Sequence, residues 1–90
     1  MIIKGRVKNY SFVIGQGGNV TTYYADVSVR GIEVRVVISE KCYDELRRDG
    51  TSAMLKADVR KRDYDEYARV NSEERKILIP SKVELLADKA

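Results

Sequence analysis

Apolar and polar residues alternate along the chain from Thr22 to Ile38, with one interruption at Arg30-Gly31. The apolar positions are Tyr23, Ala25, Val27 and Val29 before the interruption, then Ile32, Val34, Val36 and Ile38 after it. A period of two predicts strands with one face in a core and the other in solvent. Because the two strands are separated by a tight turn, the sequence predicts a β-hairpin.

Alternation also predicts a long first strand, from about Ile3 to Ile14. The apolar phase changes along this strand, since Phe12 and Ile14 continue it on the other parity, and this predicts a bulge near residues 9–11. Gly5 inside the strand indicates a close backbone approach or strong coiling. The glycine-rich segment Gly15–Asn19 is a loop by composition, and it lacks the lysine and hydroxyl residue that end a nucleotide-binding loop.

A short helix of about ten residues is predicted after the hairpin. Ser39 suits its N-cap and Glu40 its first turn, while Gly50 suits a left-handed stop at its end. The apolar stripe of this helix consists of Cys42, Tyr43 and Leu46.

The C-terminal part contains one clear strand and one ambiguous segment. Strand four is predicted from the alternation of Ala53, Leu55, Ala57 and Val59. The charged residues 61–76 are interpreted as a long hairpin excursion, with a short helix over Asp65–Arg69 as the alternative. A fifth strand is predicted from Ile77, and residues 83–86 either complete the fold or form a terminal turn, before a frayed end at 88–90.

Composition limits the class of protein. Ninety residues predict a single domain over 1–90, and the formal charge of +3 is a mild basic bias. Charged residues make up 34% of the chain while Asn, Gln, Cys and Met are scarce, which leans toward a thermophilic source. A lone cysteine, no secretory signal and only short apolar runs predict a cytoplasmic protein without a membrane span.

The element order strand, strand, strand, helix, strand, strand, with a long bent first strand, resembles the oligonucleotide/oligosaccharide-binding fold, or OB-fold. The resemblance covers Ile2 to about Leu86 and rests on order, lengths and glycine placement. It implies an all-β, five-stranded antiparallel barrel, closed or partly open, with the helix plugging one end. The alternative architecture is a small antiparallel sheet with a helix across one face.

The resemblance also implies a ligand surface, because OB-folds usually bind across strands two and three, between the strand one–two and strand four–five loops. Tyrosines there would stack on unpaired bases, at roughly 1–3 kcal/mol per base, and cations would follow the phosphates. The candidate residues are Lys8, Tyr10, Tyr24, Arg35, Arg60, Lys61, Arg62, Tyr64, Tyr67 and Arg69. Nearby carboxylates, such as Asp26 and Glu33 on the hairpin, weigh against a uniformly basic platform.

Catalysis is not expected. The chain has no histidine, Cys42 lies in an apolar stripe without an evident base, and no cluster has metal-ligand spacing, so no cofactor is predicted. The predicted function is non-catalytic binding of single-stranded DNA or RNA with little sequence preference. The alternative is a protein-interaction or self-associating subunit of a replication, repair or transcription assembly, with Val37 and Leu78 as exposed apolar anchors.

Overall fold

The computed structural model describes residues 1–49, 53–70 and 77–86. Within these ranges the chain forms five strands and two helices. The strands are β1 (Ile2–Ile14), β2 (Val20–Val29), β3 (Ile32–Ile38), β4 (Met54–Asp58) and β5 (Lys82–Leu86). The helices are α1 (Glu40–Asp49) and α2 (Lys61–Arg69). Among the residues described, no helix is both long enough and apolar enough to cross a membrane.

The strands form one antiparallel sheet in the order β3-β2-β1-β4-β5. The prediction of a five-stranded antiparallel β fold is confirmed, but the sheet is not closed, because β3 and β5 end it as opposite edges. The predicted element order is also only partly right, since α2 intervenes between β4 and β5. The fifth strand begins at Lys82 and not at Ile77.

The edge of β3 is paired by groups that follow β4 in the chain. Leu78 forms an isolated parallel bridge with Val36; its N–H donates to the carbonyl of Arg35 at 2.9 Å and its carbonyl accepts from the N–H of Val37 at 2.8 Å. The Tyr67 hydroxyl accepts from the Arg35 N–H at 3.0 Å and donates to the Glu33 carbonyl at 3.3 Å. Pairing of this kind protects an edge that would otherwise invite aggregation.

The core confirms the predicted apolar parities of β2, β3 and β4, whereas Phe12 and Ile14, predicted on the apolar parity of β1, are exposed. Ala25, Val27, Val34 and Val36 from the hairpin are fully buried, together with Leu55 from β4. Arg30 and Gly31 both have positive φ, 51° and 82°, as the type I′ turn of a two-residue hairpin requires. The β1–β2 register shifts between Val7 and Asn9, so the predicted bulge is present and is centred on Lys8, just before the predicted residues 9–11.

The helix α1 follows its predicted capping chemistry. The Ser39 hydroxyl accepts from the Cys42 N–H at 3.1 Å, and the Ser39 carbonyl accepts from the Tyr43 N–H at 3.0 Å. The stripe residues Cys42 and Leu46 are buried, and Tyr43 packs against the core. The predicted stop at Gly50 and the frayed end at 88–90 lie outside the described residues.

The helix α2 corrects the interpretation of residues 61–76. Residues Lys61–Arg69 form a helix and not a hairpin excursion. This helix starts earlier than the alternative helix that the sequence predicted over Asp65–Arg69. Residues 71–76 of that segment lie outside the described ranges. Tyr64 and Tyr67 are three residues apart and are both buried, so they anchor α2 to the core.

Cys42 makes the stability of the fold sensitive to alkaline pH. Burial, and then the negative charge of Glu45, raises the pKa of its thiol from 9.0 to about 11. Above pH 9 the unfolded chain releases this proton while the folded chain retains it. Stability is therefore lost as the pH rises from about 9 to about 11, by at most about 2–3 kcal/mol.

The measurement is the free energy of unfolding of the parent and of Cys42→Ala at pH 8, 9, 10 and 11. The parent should lose stability more steeply than Cys42→Ala, since every other ionisable group is common to both proteins. Parallel pH curves for the two proteins would show that the thiol makes no such contribution.

Candidate nucleic-acid interface

The outer face of the β2–β3 hairpin is organised around a buried carboxylate. Asp26 lies opposite Arg35 in the register and is only 4% exposed. Arg35 donates to it through Nε at 2.8 Å and through Nη2 at 3.1 Å. The hydrogen bonds to Asp26 raise the pKa of Arg35 further above its already high ordinary value, while burial opposes the shift.

Arg35 also covers an aromatic ring. Its guanidinium carbon lies 4.1 Å from the centroid of the half-buried Tyr24, which is a cation–π geometry. Tyr24 and Arg35, two predicted binding residues, are therefore brought together. The Arg35 guanidinium is already engaged, by the Tyr24 ring and by the Asp26 carboxylate. Arg35, a predicted nucleic-acid-binding residue, is thus already paired with a carboxylate at hydrogen-bonding distance.

The predicted stacking role of Tyr64 and Tyr67 does not fit their positions. Both rings are buried under α2, and the Tyr67 hydroxyl is bonded to the backbone of β3. Neither ring can stack on a base in this conformation. The sequence signal for burial was present in their i, i+3 spacing, which places both rings on one helix face.

Tyr10 belongs to a ring cluster at the junction of β1, β2 and α1. Its ring is edge-on to that of Tyr43, with 5.7 Å between the two ring centroids. The centroid of the Tyr43 ring also lies 6.0 Å from that of Phe12 and 4.8 Å from that of Tyr23. Burial, then the charges of Glu40 and Asp44, raises the pKa of Tyr23. Tyr10 is half-buried and faces α1, on the opposite side of the sheet from Tyr24. The two tyrosines do not form one platform.

The predicted cations of the strand four–five connection are exposed on or beside α2. Arg60 immediately precedes the helix, and Arg62 and Arg69 lie on it. Lys61 is bonded to Asp65 at 3.0 Å in an i, i+4 pair. Through the Tyr67 hydroxyl, α2 is bonded to the backbone of β3 at Glu33 and Arg35, so these cations belong to a helix beside the β3 edge and not to the strand that carries Tyr24.

A row of cations along β1 is the feature that the sequence reasoning largely missed. Lys4, Arg6 and Lys8 are exposed at alternate positions of one strand, and of these only Lys8 was a predicted site residue. Lys56 on β4 is also exposed and lies directly opposite Lys4. The alternation itself was visible in the sequence, but the position of Lys56 depends on the β1–β4 register.

The row shares the outer surface with the hairpin face. Arg6 lies opposite Ser28 of β2, and Ser28 lies opposite Glu33 of β3, so all three project from the same side of the sheet. Carboxylates border the row on its far side, where Glu84 lies opposite Lys56 and Asp58 lies opposite Lys82. Asp58 also contacts the amino terminus at 3.4 Å. The positive potential is therefore concentrated on β1 itself.

No group of three histidine, cysteine or carboxylate residues among those described is arranged to hold a metal ion. The described surface is mixed, with a cationic row on β1 and a self-paired Tyr24–Asp26–Arg35 group beside it.

Compared with known proteins, the chain matches no family model, no curated protein and no solved structure.

Proposed function

We propose that this protein binds single-stranded nucleic acid without catalysis, along the outer face of β1. Lys4, Lys8 and Lys56 contact the phosphates, with Arg6 between them on the same face. Because phosphates are common to all sequences, this binding has little sequence preference. A cytoplasmic location and a role for either DNA or RNA belong to the same proposal.

The observation that carries the proposal is the like-charged pair Lys4–Lys56. Residues directly opposite each other in an antiparallel pair have Cβ atoms roughly 4.5–5.5 Å apart, and like charges there are destabilising. No side-chain hydrogen bond or ion pair within 4.0 Å joins either lysine to another described residue, although Glu84 lies across β4 from Lys56. A polyanion laid along β1 would relieve this repulsion and release its own counterions.

Stacking contributes less than the electrostatic contacts in this proposal. Tyr24 is the predicted tyrosine that remains on the outer face, and Arg35 already lies over its ring. We infer that affinity depends mainly on phosphate contacts and decreases steeply with salt. We infer that the underlying architecture is a partly open OB-type barrel, an inference supported by the element order up to β4 and by the parallel bridge between Val36 and Leu78.

Neutralising two lysines of the row should weaken binding. Lys4→Gln/Lys8→Gln is expected to lower the affinity for a 20-nucleotide single strand by on the order of 5-fold per lysine near 0.1 M salt. The slope of log K against log salt should become shallower by roughly 0.7 per lost contact. The measurement is a fluorescence anisotropy titration of labelled DNA and RNA strands at several salt concentrations.

Two single-charge variants serve as controls, and their combination, Lys41→Gln/Lys61→Gln, removes the same two charges as Lys4→Gln/Lys8→Gln. Lys41→Gln removes an exposed lysine from α1, and Lys61→Gln removes one that is paired with Asp65. Both should keep nearly the parent's affinity and salt slope. The proposal is wrong if neither strand binds saturably at low salt, or if the control variants weaken binding as much as the Lys4/Lys8 double variant.

The protein-interaction alternative needs different anchors from those predicted. Leu78 is buried in the core and Val37 is half-buried, so neither is an exposed apolar anchor. Large exposed apolar side chains lie instead at the far end of the β1–β2 hairpin.

A further inference from the structure

The end of the β1–β2 hairpin extends beyond the rest of the sheet. Pairing of β1 with β4 ends at Arg6–Met54, followed by one hydrogen bond from the Val7 N–H to the Ala53 carbonyl at 3.1 Å. On the other side, β3 begins to pair with β2 only at Tyr23. We call residues 11–14 and 20–22, with the loop 15–19 between them, the hairpin tip.

The hairpin tip is apolar and exposed. Phe12, Val13, Ile14 and Val20 are 39%, 48%, 56% and 39% exposed. In a chain with 34% charged residues, no residue from Asn9 to Ala25 is charged. Natural sheets usually protect such an edge with lysine, proline or a covering segment. The tip carries neither lysine nor proline, and residues 11–14 of β1 have no backbone partner other than β2 in the described parts of the chain.

We propose that this edge is an interface between two copies of the chain, formed by antiparallel pairing of residues 11–14 of β1 across a two-fold axis. Such an interface needs one surface that is complementary to itself. An uncharged edge meets this condition, because two copies that each carry +3 would meet where no like charges face each other. Edge-to-edge pairing would supply backbone hydrogen bonds, and Phe12, Val13 and Ile14 would cover each other.

The second copy is a better occupant than a charged peptide or a nucleic acid. The tip offers no cation or carboxylate with which to select a charged peptide or a nucleic acid. The last cation of β1 is Lys8, which precedes the tip. Within a dimer, pairing of the two β1 strands would join the sheets of the two copies into one continuous sheet. The cationic rows of the two copies would then lie on either side of the shared edge.

Sedimentation velocity over a range from about 1 µM to 1 mM tests the proposal. The parent should shift from monomer to dimer with concentration, and Val13→Lys should raise the dimer dissociation constant at least tenfold. Ile79→Lys is the matched control, because it introduces the same charge at an apolar side chain that is 76% exposed on another part of the surface. Gln16→Lys adds the charge to the loop of the same hairpin without changing the edge.

Amide hydrogen exchange of the parent provides a second measurement that does not depend on the folding of a variant. Exchange at residues 11–14 should slow as concentration rises, while exchange in β5 stays unchanged. High salt should leave the dimer intact, since no ionic contact holds it. A monomer throughout the concentration range, equal disruption by Ile79→Lys, or association that leaves exchange at residues 11–14 unchanged would overturn the proposal.

Discussion

Gly5→Ala should destabilise the protein by about 3 kcal/mol or more, because the added methyl group has no room beside β2. A Cβ atom at this position would overlap the Ser28 carbonyl oxygen and would lie 2.9 Å from the carbonyl carbon. Both are backbone atoms of β2, so no side-chain rotation relieves the overlap. Separating β1 from β2 would disturb the pairing of Arg6 with Ser28 at the centre of the sheet.

Urea denaturation of Gly5→Ala should show a much lower midpoint, or no folded baseline. Gly18→Ala is the control for backbone freedom alone, since its φ is +80° and no atom lies within 4 Å of the added Cβ. That variant should lose only about 1 kcal/mol. Adding Val29→Ala to Gly5→Ala should give no rescue, because the Val29 methyl group lies farther away, at 3.3 Å. A midpoint for Gly5→Ala equal to that of Gly18→Ala would contradict the steric explanation.

Arg35→Ala should lower the free energy of unfolding by about 2–4 kcal/mol, which is the second of the two large effects expected on stability. The loss comes less from the ion pair itself than from leaving the Asp26 carboxylate buried without its two charged hydrogen bonds. The side chain of Arg35 is 47% exposed, so solvent screening keeps the value below that of a fully buried pair. Arg35→Lys should recover only part of the loss, because an ammonium group cannot reproduce the bidentate geometry.

A double-mutant cycle with Asp26→Ala isolates the cost of leaving the Asp26 carboxylate buried without Arg35. If removal of the arginine strands a buried charge, then Asp26→Ala/Arg35→Ala should be more stable than the sum of the two single effects predicts, by about 1–3 kcal/mol. Arg62→Ala, on the exposed face of α2, is the matched control and should change stability by less than about 0.5 kcal/mol. Unfolding of Arg35→Ala at the parent's urea midpoint would show that Asp26 is satisfied by other means.

Most of the secondary structure followed from local pattern. The β2–β3 hairpin, the capped helix α1 and the strand β4 were predictable, because alternation, an N-cap serine and a two-residue turn act between neighbours in the chain. The helix α2 was misinterpreted because charged residues dominate its composition. Its two tyrosines, three positions apart, were assigned to ligand binding when they in fact pack against the core.

The candidate site was predictable only in part for a related reason. Tyr24 and Arg35 do lie on the outer surface of the sheet, as their parity indicated, and Lys8 is exposed at the bulge of β1. No local pattern could show that Arg35 is held by Asp26, or that Arg62 and Arg69 would lie on a helix bonded to β3 through Tyr67. The cationic row also includes Lys56, which is 52 positions from Lys4 in the chain and meets it only through the β1–β4 register.

The sequence by itself determined which residues of β2, β3 and β4 face the core, where the hairpin turns and where α1 begins, because each of these depends on spacing and capping within a few residues. Only the tertiary structure decided that the sheet stays open between β3 and β5, and that Tyr67 and Leu78 pair the exposed edge of β3. The same holds for the meeting of Lys4 with Lys56 and for the uncovered tip of the β1–β2 hairpin. These features depend on strand order and register between distant segments, which are fixed by the packing of the whole core and not by any local run of residues.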